Sequence, residues 1–224
     1  YEVTYQAWNG IDAETLASNR KFNPSGIYTD ENGQTKFHEN EVDDYKQDHY
    51  QIHWNERYNN NWSTNLGLNY THGRGYFEQY KEDEDFADYD LDEIILGGET
   101  INTTDLIRRR WLDNDFYVAN GSANYKNDML DMSFGISFSS YIGHHFGEIA
   151  WARYASNSEV GDHYYDGKGE KKDFSSFIKA TYKLNEKVSL YGDLQSRIVD
   201  YKTTGLTSDR VNMLINETYN FFLI

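Results

Sequence analysis

The residues best suited to ligand chemistry are three consecutive arginines and the tryptophan that follows them: Arg108, Arg109, Arg110 and Trp111. Guanidinium groups pair with carboxylate or catecholate groups in a planar fork, and an indole ring offers a stacking surface. A second group of aromatic and basic residues lies further along the chain: Trp151, Arg153 and Tyr154. Both groups are candidate contacts for an anionic or aromatic ligand.

The alternative for the arginines is internal ion pairing. Twelve acidic residues lie between Glu78 and Asp113, on both sides of the arginines in sequence. Because these carboxylates are close at hand, we favour partners within the same segment over a ligand.

Two neighbouring histidines, His144 and His145, have the chemistry to ligate haem iron or a ferric complex. In an extended segment adjacent side chains point to opposite faces, so both can ligate one ion only if the backbone bends. The acidic run 81–93 resembles a calcium loop in its spacing, but Glu93 occupies the position where an EF-hand needs glycine. We therefore predict no specific metal site, and a solvated acidic loop that divalent cations can link to lipopolysaccharide.

Catalysis and nucleic-acid binding find no support in the sequence. It contains no nucleophile elbow, no histidine-based triad and no glycine-rich phosphate loop at a strand-to-helix junction, so we expect neither an enzyme nor a cofactor. With 37 acidic against 21 basic residues the net charge is −16, which repels nucleic acid. The chain has no cysteine, which excludes disulfides and thiolate metal sites.

The composition favours β structure. Aromatic residues make up 17% of the chain, with 20 Tyr and 5 Trp, and these residues prefer strands. No apolar run is long enough for a transmembrane helix, so a closed β-barrel is the remaining way to cross a membrane. The chain starts with Tyr1 and has no leader, so we expect an interior piece of a longer product.

Alternation of apolar and polar residues predicts the strands. The clearest run has apolar residues at Leu130, Met132, Phe134, Ile136 and Phe138, with small or polar residues between them. Similar patterns predict seven strands, at about 1–8, 45–58, 62–75, 114–125, 129–142, 173–184 and 187–201.

Loop lengths point to the kind of sheet. Short turns alternate with long connections at roughly 9–44, 76–113 and 143–172, which places all long loops at one end of the sheet. Outer-membrane barrels have this arrangement, together with aromatic residues at both membrane interfaces. Seven strands are too few and odd in number for a complete barrel, so we expect residues 1–224 to form one partial domain of a larger antiparallel transmembrane β-barrel.

Several segments resemble the outer-membrane TonB-dependent receptors of Bacteroides-like bacteria. These segments are 7–10, 23–26, 73–81, 106–117, 145–148 with 151–154, and 188–205; residues 220–222 resemble the start of a further strand. The resemblance implies the middle of a barrel of about 22 strands. It also implies a missing N-terminal plug, through which TonB would drive uptake of a scarce nutrient such as an iron complex.

The resemblance places the ligand candidates in extracellular loops: Trp8, Arg108, Arg109, Arg110, Trp111, His144, His145, Trp151, Arg153 and Tyr154. The implied location is the bacterial outer membrane, with outer-membrane lipid, lipopolysaccharide and a small-molecule or metal-complex substrate as partners. The net negative charge favours cationic or metal-bearing cargo. Two alternatives stay open: a soluble β-sheet module that binds glycans through Tyr and Trp, and a passive porin.

Overall fold

The computed structural model describes residues 2–7 and 9–223, and almost all of its regular structure is β-strand. The described strands are β1 Glu2–Tyr5, β2 Ile27–Thr29, β3 Thr35–Phe37, β4 Val42–Arg57, β5 Trp62–Asp85, β6 Ile94–Leu96, β7 Glu99–Ile101, β8 Thr103–Lys126, β9 Leu130–Ala152, β10 His163–Lys183, β11 Ser189–Leu206 and β12 Asn212–Leu223. A short helix α1 spans Ala13–Ser18, and a 3-10 helix spans Phe86–Tyr89. Neither helix is long and apolar enough to span a bilayer. The prediction of an all-β chain with a large antiparallel sheet is confirmed.

One sheet contains eight of the strands, in the order β1, β4, β5, β8, β9, β10, β11, β12, and every neighbouring pair is antiparallel. The remaining four strands form two small hairpins, β2–β3 and β6–β7. All seven predicted strands are in the large sheet, but this sheet has eight strands, and the four short strands of the hairpins were not predicted either. β12 was missed apart from 220–222, which lie inside it, and its first half lacks a clean alternation.

Three short turns lie at one end of this sheet and the long connections at the other, as predicted, but a fourth short turn, 207–211, joins β11 to β12 at the end of the long connections. The short turns, 58–61, 127–129 and 184–188, form what we call the turn end, and they share one device. In each, the side-chain oxygen of an early asparagine (Asn59, Asn127 or Asn185) accepts hydrogen bonds from backbone N–H groups two and three residues later. This turn chemistry explains why three sharp reversals occur without glycine.

Two of the three long connections at the opposite, loop end are shorter than predicted. The loop predicted at 76–113 is reduced to 86–102, and that at 143–172 to 153–162, because β5, β8, β9 and β10 continue well past their alternating segments. Pairing continues through these extensions, for example between Tyr76 and Trp111. Backbone hydrogen bonds, and not a uniform apolar face, hold this part of the sheet together.

One face of the turn-end half is apolar and exposed, and we call it the apolar belt. Strand alternation and the pairing register bring its members side by side. Its large side chains are Ile52, Trp54, Leu66, Leu68, Phe134, Ile136, Phe138, Phe174, Ile178, Leu190, Leu194, Ile198 and Phe222. Each of them is between 39% and 66% exposed, and none is covered by a second sheet within the described chain.

The opposite face of the same half is mainly polar, although Phe177, Phe221 and Leu223 are also exposed on it. Asn65 Nδ2 donates to Ser122 Oγ at 3.1 Å, and Arg197 pairs with Asp173 at 2.5 Å. As predicted for a barrel wall, Asp131, Ser133 and Ser137 lie on this face, opposite to the apolar run of β9.

The buried core lies at the loop end, on the side of the polar face. It contains Phe86, Tyr89 and Leu91 from the 3-10 helix region, packed against Leu106, Ile149, Tyr164 and Tyr165 of the long strands. Leu106 is completely buried. Within the described residues the sheet is not closed, since β12 forms one edge and β4 beyond Tyr45 forms part of the other.

Candidate functional site

Aromatic rings mark both borders of the apolar belt. At the loop-end border Tyr50, Tyr70 and Tyr117 stack across three strands, with ring centroids 5.9 and 4.8 Å apart. We call this row the tyrosine ladder. At the turn-end border the rings of Trp62 and Tyr125 are 4.9 Å apart. Amphipathic rings of this kind suit a boundary between apolar and aqueous surroundings.

The three arginines lie inside β8, not in a loop as predicted, and therefore alternate between the two faces. Arg109 is on the belt side, where its Nε lies 2.8 Å from Glu78 Oε2 and its guanidinium lies over the ring of Tyr76. Glu78 Oε1 also accepts a hydrogen bond from His38 Nε2 at 3.0 Å. Burial alone would raise the pKa of Glu78, but hydrogen bonds from Asn40, Arg109 and His38 hold it below its ordinary value.

Arg108 is on the opposite face and belongs to the core. It donates to Gln79 Oε1 at 2.9 Å and to Tyr89 Oη at 2.7 Å, and it lies 3.8 Å from Glu84. The predicted internal pairing is thus confirmed for Arg108 and Arg109, whose acidic partners come from the segment 78–113.

Trp111 lies on the belt side of β8, beyond the tyrosine ladder. Its Nε1 donates to Glu148 Oε2 at 2.8 Å, and its ring contacts the rings of Tyr76 and Phe146. Arg74 lies over it at 5.3 Å from the ring centroid. These partners fix the position of Trp111.

Arg110 lines a cavity of about 530 Å³ at the loop end of the polar face. The cavity extends between β8, β9, β10 and β11 and is bounded at one side by Leu206 and Met213. Aromatic side chains supply much of its wall, namely Phe77, Tyr141, Tyr165 and Tyr201. The volume is within the range of small-molecule pockets, about 300–1,000 Å³.

Two polar groups in this cavity stand out. Arg110 Nε donates to Tyr164 Oη at 3.3 Å, and although burial alone would lower the pKa of Arg110, the tyrosine hydroxyls around it keep this pKa raised. Thr203 is only 5% exposed, and its Oγ1 has no hydrogen-bond partner in the described part of the chain. A guanidinium and a free hydroxyl are thus present in a mainly apolar space.

His144 and His145 are separated by the strand, as the sequence predicted. His145 lines the cavity, whereas His144 is on the face of Asp113 and Trp111. Burial lowers the pKa of His145, and the neighbouring His144 lowers it further by a smaller amount. The imidazole of His145 is therefore neutral at neutral pH. In residues 2–7 and 9–223 no group of three or more His, Asp or Glu side chains is arranged to hold a metal ion.

The group Trp151, Arg153 and Tyr154 lies away from the cavity. Arg153 bridges Glu31 at 2.7 Å and Asp105 at 2.9 Å, and so ties the segment around the β2–β3 hairpin to β8. Trp151 stacks near Tyr80, and Tyr154 packs against the core. The remaining candidate, Trp8, lies outside the described residues.

Of the candidates in the described chain, the structure therefore brings Arg110 and His145 to one cavity, and Trp111 borders it from the belt side of β8. Sequence reasoning missed Tyr141, Tyr165, Tyr201 and Thr203. The sequence did contain a signal for part of this surface. Tyr141, Gly143, His145 and Gly147 occupy every second position of β9 and therefore lie on one face of the strand. A side chain at Gly143 or Gly147 would collide with a tyrosine, so these glycines leave room for the rings.

The comparisons with known proteins add no family. No protein-family model matches the chain, and no curated protein matches it.

Proposed function

We propose that this chain is part of the transmembrane β-barrel of a TonB-dependent outer-membrane receptor that takes up a scarce nutrient. The observation that carries the proposal is the apolar belt. An exposed apolar face, bordered by aromatic rings at both ends and backed by a polar face, is the pattern of a barrel wall with lipid outside and water inside.

The dimensions of the belt agree with this interpretation. Trp62 and Tyr70 lie on the same face eight residues apart, which corresponds to about 20 Å along the membrane normal at ~3.3 Å per residue and a tilt of ~40°. That is close to the apolar band of outer-membrane barrels, about 25 Å tall. The extensions of β5, β8, β9 and β10 would then project beyond the outer leaflet, next to lipopolysaccharide.

The unpaired edges of the sheet are an argument that the complete barrel contains further strands. In the belt, β12 and the segment 46–57 of β4 each present backbone N–H and C=O groups that lack a strand partner among the described residues. Lipid cannot satisfy such groups, so both edges require pairing before the sheet can enter a membrane.

A soluble glycan-binding module is less well supported. Such a sheet would pack its apolar face against a second layer, whereas the belt side chains are exposed and the core formed by the described residues lies at the other end, on the other face. The TonB-dependent class is favoured over a passive porin by the sequence resemblance.

Surface labelling of intact cells tests location and orientation. A membrane-impermeant amine reagent should modify Lys36 and Lys81 at the loop end and spare Lys126 at the turn end, although Lys126 has the most exposed side chain of the three, at 73%. In lysed cells Lys126 should become reactive. Preferential labelling of Lys126 in intact cells would reverse the topology, and recovery of the protein in the soluble fraction would refute the barrel.

Energised uptake is tested by deletion. Cells that lack the gene should grow more slowly when iron complexes are scarce, and loss of TonB should give the same defect without an additional effect in the double mutant. Uptake that persists without TonB would favour the porin.

A further inference from the structure

The cavity at the loop end differs in charge from the rest of the molecule. The chain carries 37 acidic residues, yet none of the described residues that line the cavity is Asp or Glu. Arg110 lines it, together with the neutral His145 and with Lys168, which pairs with His144 and is therefore on the belt face. The charge of the whole chain favours cationic cargo, but the immediate surroundings of this cavity favour an anion.

Arg110 is the cation in the cavity with capacity to bind. Lys168 is already paired with Glu170 at 2.5 Å. The arginines that form ion pairs within the described residues are Arg74, Arg108, Arg109, Arg153, Arg197 and Arg210. Arg110 is absent from this set and donates to the neutral hydroxyl of Tyr164. Its guanidinium has five N–H groups, so donors remain for a ligand.

Thr203 provides an independent indication of a ligand. Thr203 lines the cavity and is only 5% exposed, and its Oγ1 is buried without a hydrogen-bond partner in the described chain. A buried hydroxyl without a hydrogen bond destabilises the fold, and a polar ligand atom beside it removes that cost.

The walls are suited to the body of such a ligand. Tyr141, Tyr165 and Tyr201 offer ring faces and edges, while Leu206 and Met213 are flexible and apolar. On β10, a Cβ built at Gly169 would meet no atom within 4 Å, so open space lies above this glycine.

We propose that this cavity binds a small organic anion with an aromatic body, its anionic group held by Arg110 and Thr203 and its ring packed among the tyrosines. As a statement about transported cargo, this rests on the proposed function. As a statement about binding, it needs only the cavity.

The test uses three probes of similar shape and different charge, added to the purified full-length protein in detergent. These are 1-naphthoate, neutral 1-naphthamide and cationic 1-naphthylmethylamine, with binding measured by titration calorimetry against protein-free micelles. We expect 1-naphthoate to bind about tenfold or more tightly than the amide, because charge-assisted hydrogen bonds are the stronger ones, and the amine to bind most weakly. Equal binding of the three probes, or tightest binding of the amine, would overturn the proposal.

Variants locate the site. Gly169→Trp should fill the cavity and abolish naphthoate binding, whereas Gly169→Ala should preserve it. Arg110→Gln should remove the preference for the anion, Arg110→Lys should retain part of it, and Thr203→Val should weaken binding several-fold. Arg74→Gln, on the opposite face, is the matched control and should leave binding unchanged. Far-UV circular dichroism checks that each variant is folded, and binding that survives both Gly169→Trp and Arg110→Gln would refute the assignment.

The two proposals fail separately. Naphthoate binding by a protein that is not in the outer membrane would refute the proposed function and leave the cavity assignment intact. Surface labelling as expected, without anion binding, would refute only the cavity assignment.

Discussion

The two halves of the sheet, on either side of the tyrosine ladder, place their apolar side chains differently. In the turn-end half most of the large apolar residues are exposed on one face, and the other face is lined mainly with Ser, Asn and Asp. In the loop-end half Leu106 is fully buried and Phe86 almost so, beneath a connection that folds over the sheet. The same strands thus pass from a region without a protein core into one that has its own.

This contrast shows which structural property the alternation of apolar and polar residues indicates. Strict alternation arises when each face of a strand has one uniform environment along its length. In the loop-end half both faces are mixed. Arg109 and Trp111 lie on the face that carries the apolar belt in the turn-end half. Core residues such as Leu106 lie on the opposite face, which is mainly polar in the turn-end half. There, pairing and individual contacts determine each residue type.

The largest expected effect is in the buried core. Leu106→Ala should destabilise the protein by about 2–5 kcal/mol, because it removes a fully buried side chain and leaves a cavity. Leu66→Ala in the apolar belt, at a side chain that is 39% exposed, should cost less since no enclosed cavity forms. Urea unfolding of the full-length protein in phospholipid vesicles, followed by tryptophan fluorescence, measures both, and equal losses would contradict the contrast between the halves.

A charge placed in the belt tests its contact with lipid. Phe134→Arg should destabilise the protein by about 2–4 kcal/mol in vesicles if this face lies near the middle of a bilayer. Asn124→Arg is the matched control. It lies on the polar face between Ser63 and Ser133, and its neighbour Ala123 pairs with Phe134, so the two positions are at nearly the same depth. If both substitutions have similar small effects, the belt does not face lipid.

Two glutamates in the loop-end half should differ in how much stability is lost when each is replaced by glutamine. Glu78→Gln should cost about 1–3 kcal/mol at neutral pH, because the carboxylate is buried beside Arg109 and His38. Glu41→Gln should cost little, since burial raises the pKa of Glu41 and an amide oxygen can still accept the hydrogen bond from Tyr80 N. Unfolding midpoints at neutral pH compare them, and a larger loss for Glu41→Gln would contradict this assignment.

The same pair predicts a dependence on pH. The pKa of Glu78 is lowered in the folded protein, so its contribution to stability is complete above the ordinary value of 4.5 and is lost as pH falls through the lowered pKa. The deficit of Glu78→Gln should therefore shrink in acid. The raised pKa of Glu41 has the opposite sign, because it favours folding at low pH and this contribution is lost as pH rises through that pKa.

The sequence predicted the turn-end half well and the loop-end half poorly. The run from Leu130 to Phe138 was sufficient to locate β9, and the asparagine-rich turns located its neighbours. The extension of β8 through Arg108, Arg109 and Arg110 was not predictable from alternation, since three like charges in a row indicate a solvated loop. Their partners are distant in sequence or on other strands: Glu78 lies on β5, and Tyr164, which is beside Arg110, lies on β10. For the same reason the cavity, which uses residues of six strands, could be anticipated only through single members such as Arg110 and His145.

The smallest expected effect is at the border between the halves. Tyr70 lies in the middle of the tyrosine ladder, and its hydroxyl donates to Asp115 Oδ1 at 2.7 Å, just beyond the apolar belt. Tyr70→Phe keeps the stacked ring and removes this hydrogen bond, which should cost about 0.5–1.5 kcal/mol.

A double-mutant cycle with Asp115→Asn in vesicles assigns that cost. If the hydroxyl and the carboxylate act as a pair, the two single substitutions together should cost less than the sum of their separate effects. Strict additivity would mean that Asp115 acts through His72, which lies 3.1 Å from the same oxygen. Tyr70→Leu, which also removes the ring, should cost more than Tyr70→Phe, because it breaks the contacts with both Tyr50 and Tyr117. If the two substitutions have the same effect, the ladder does not stabilise the border, and the change between the halves depends on the strands alone.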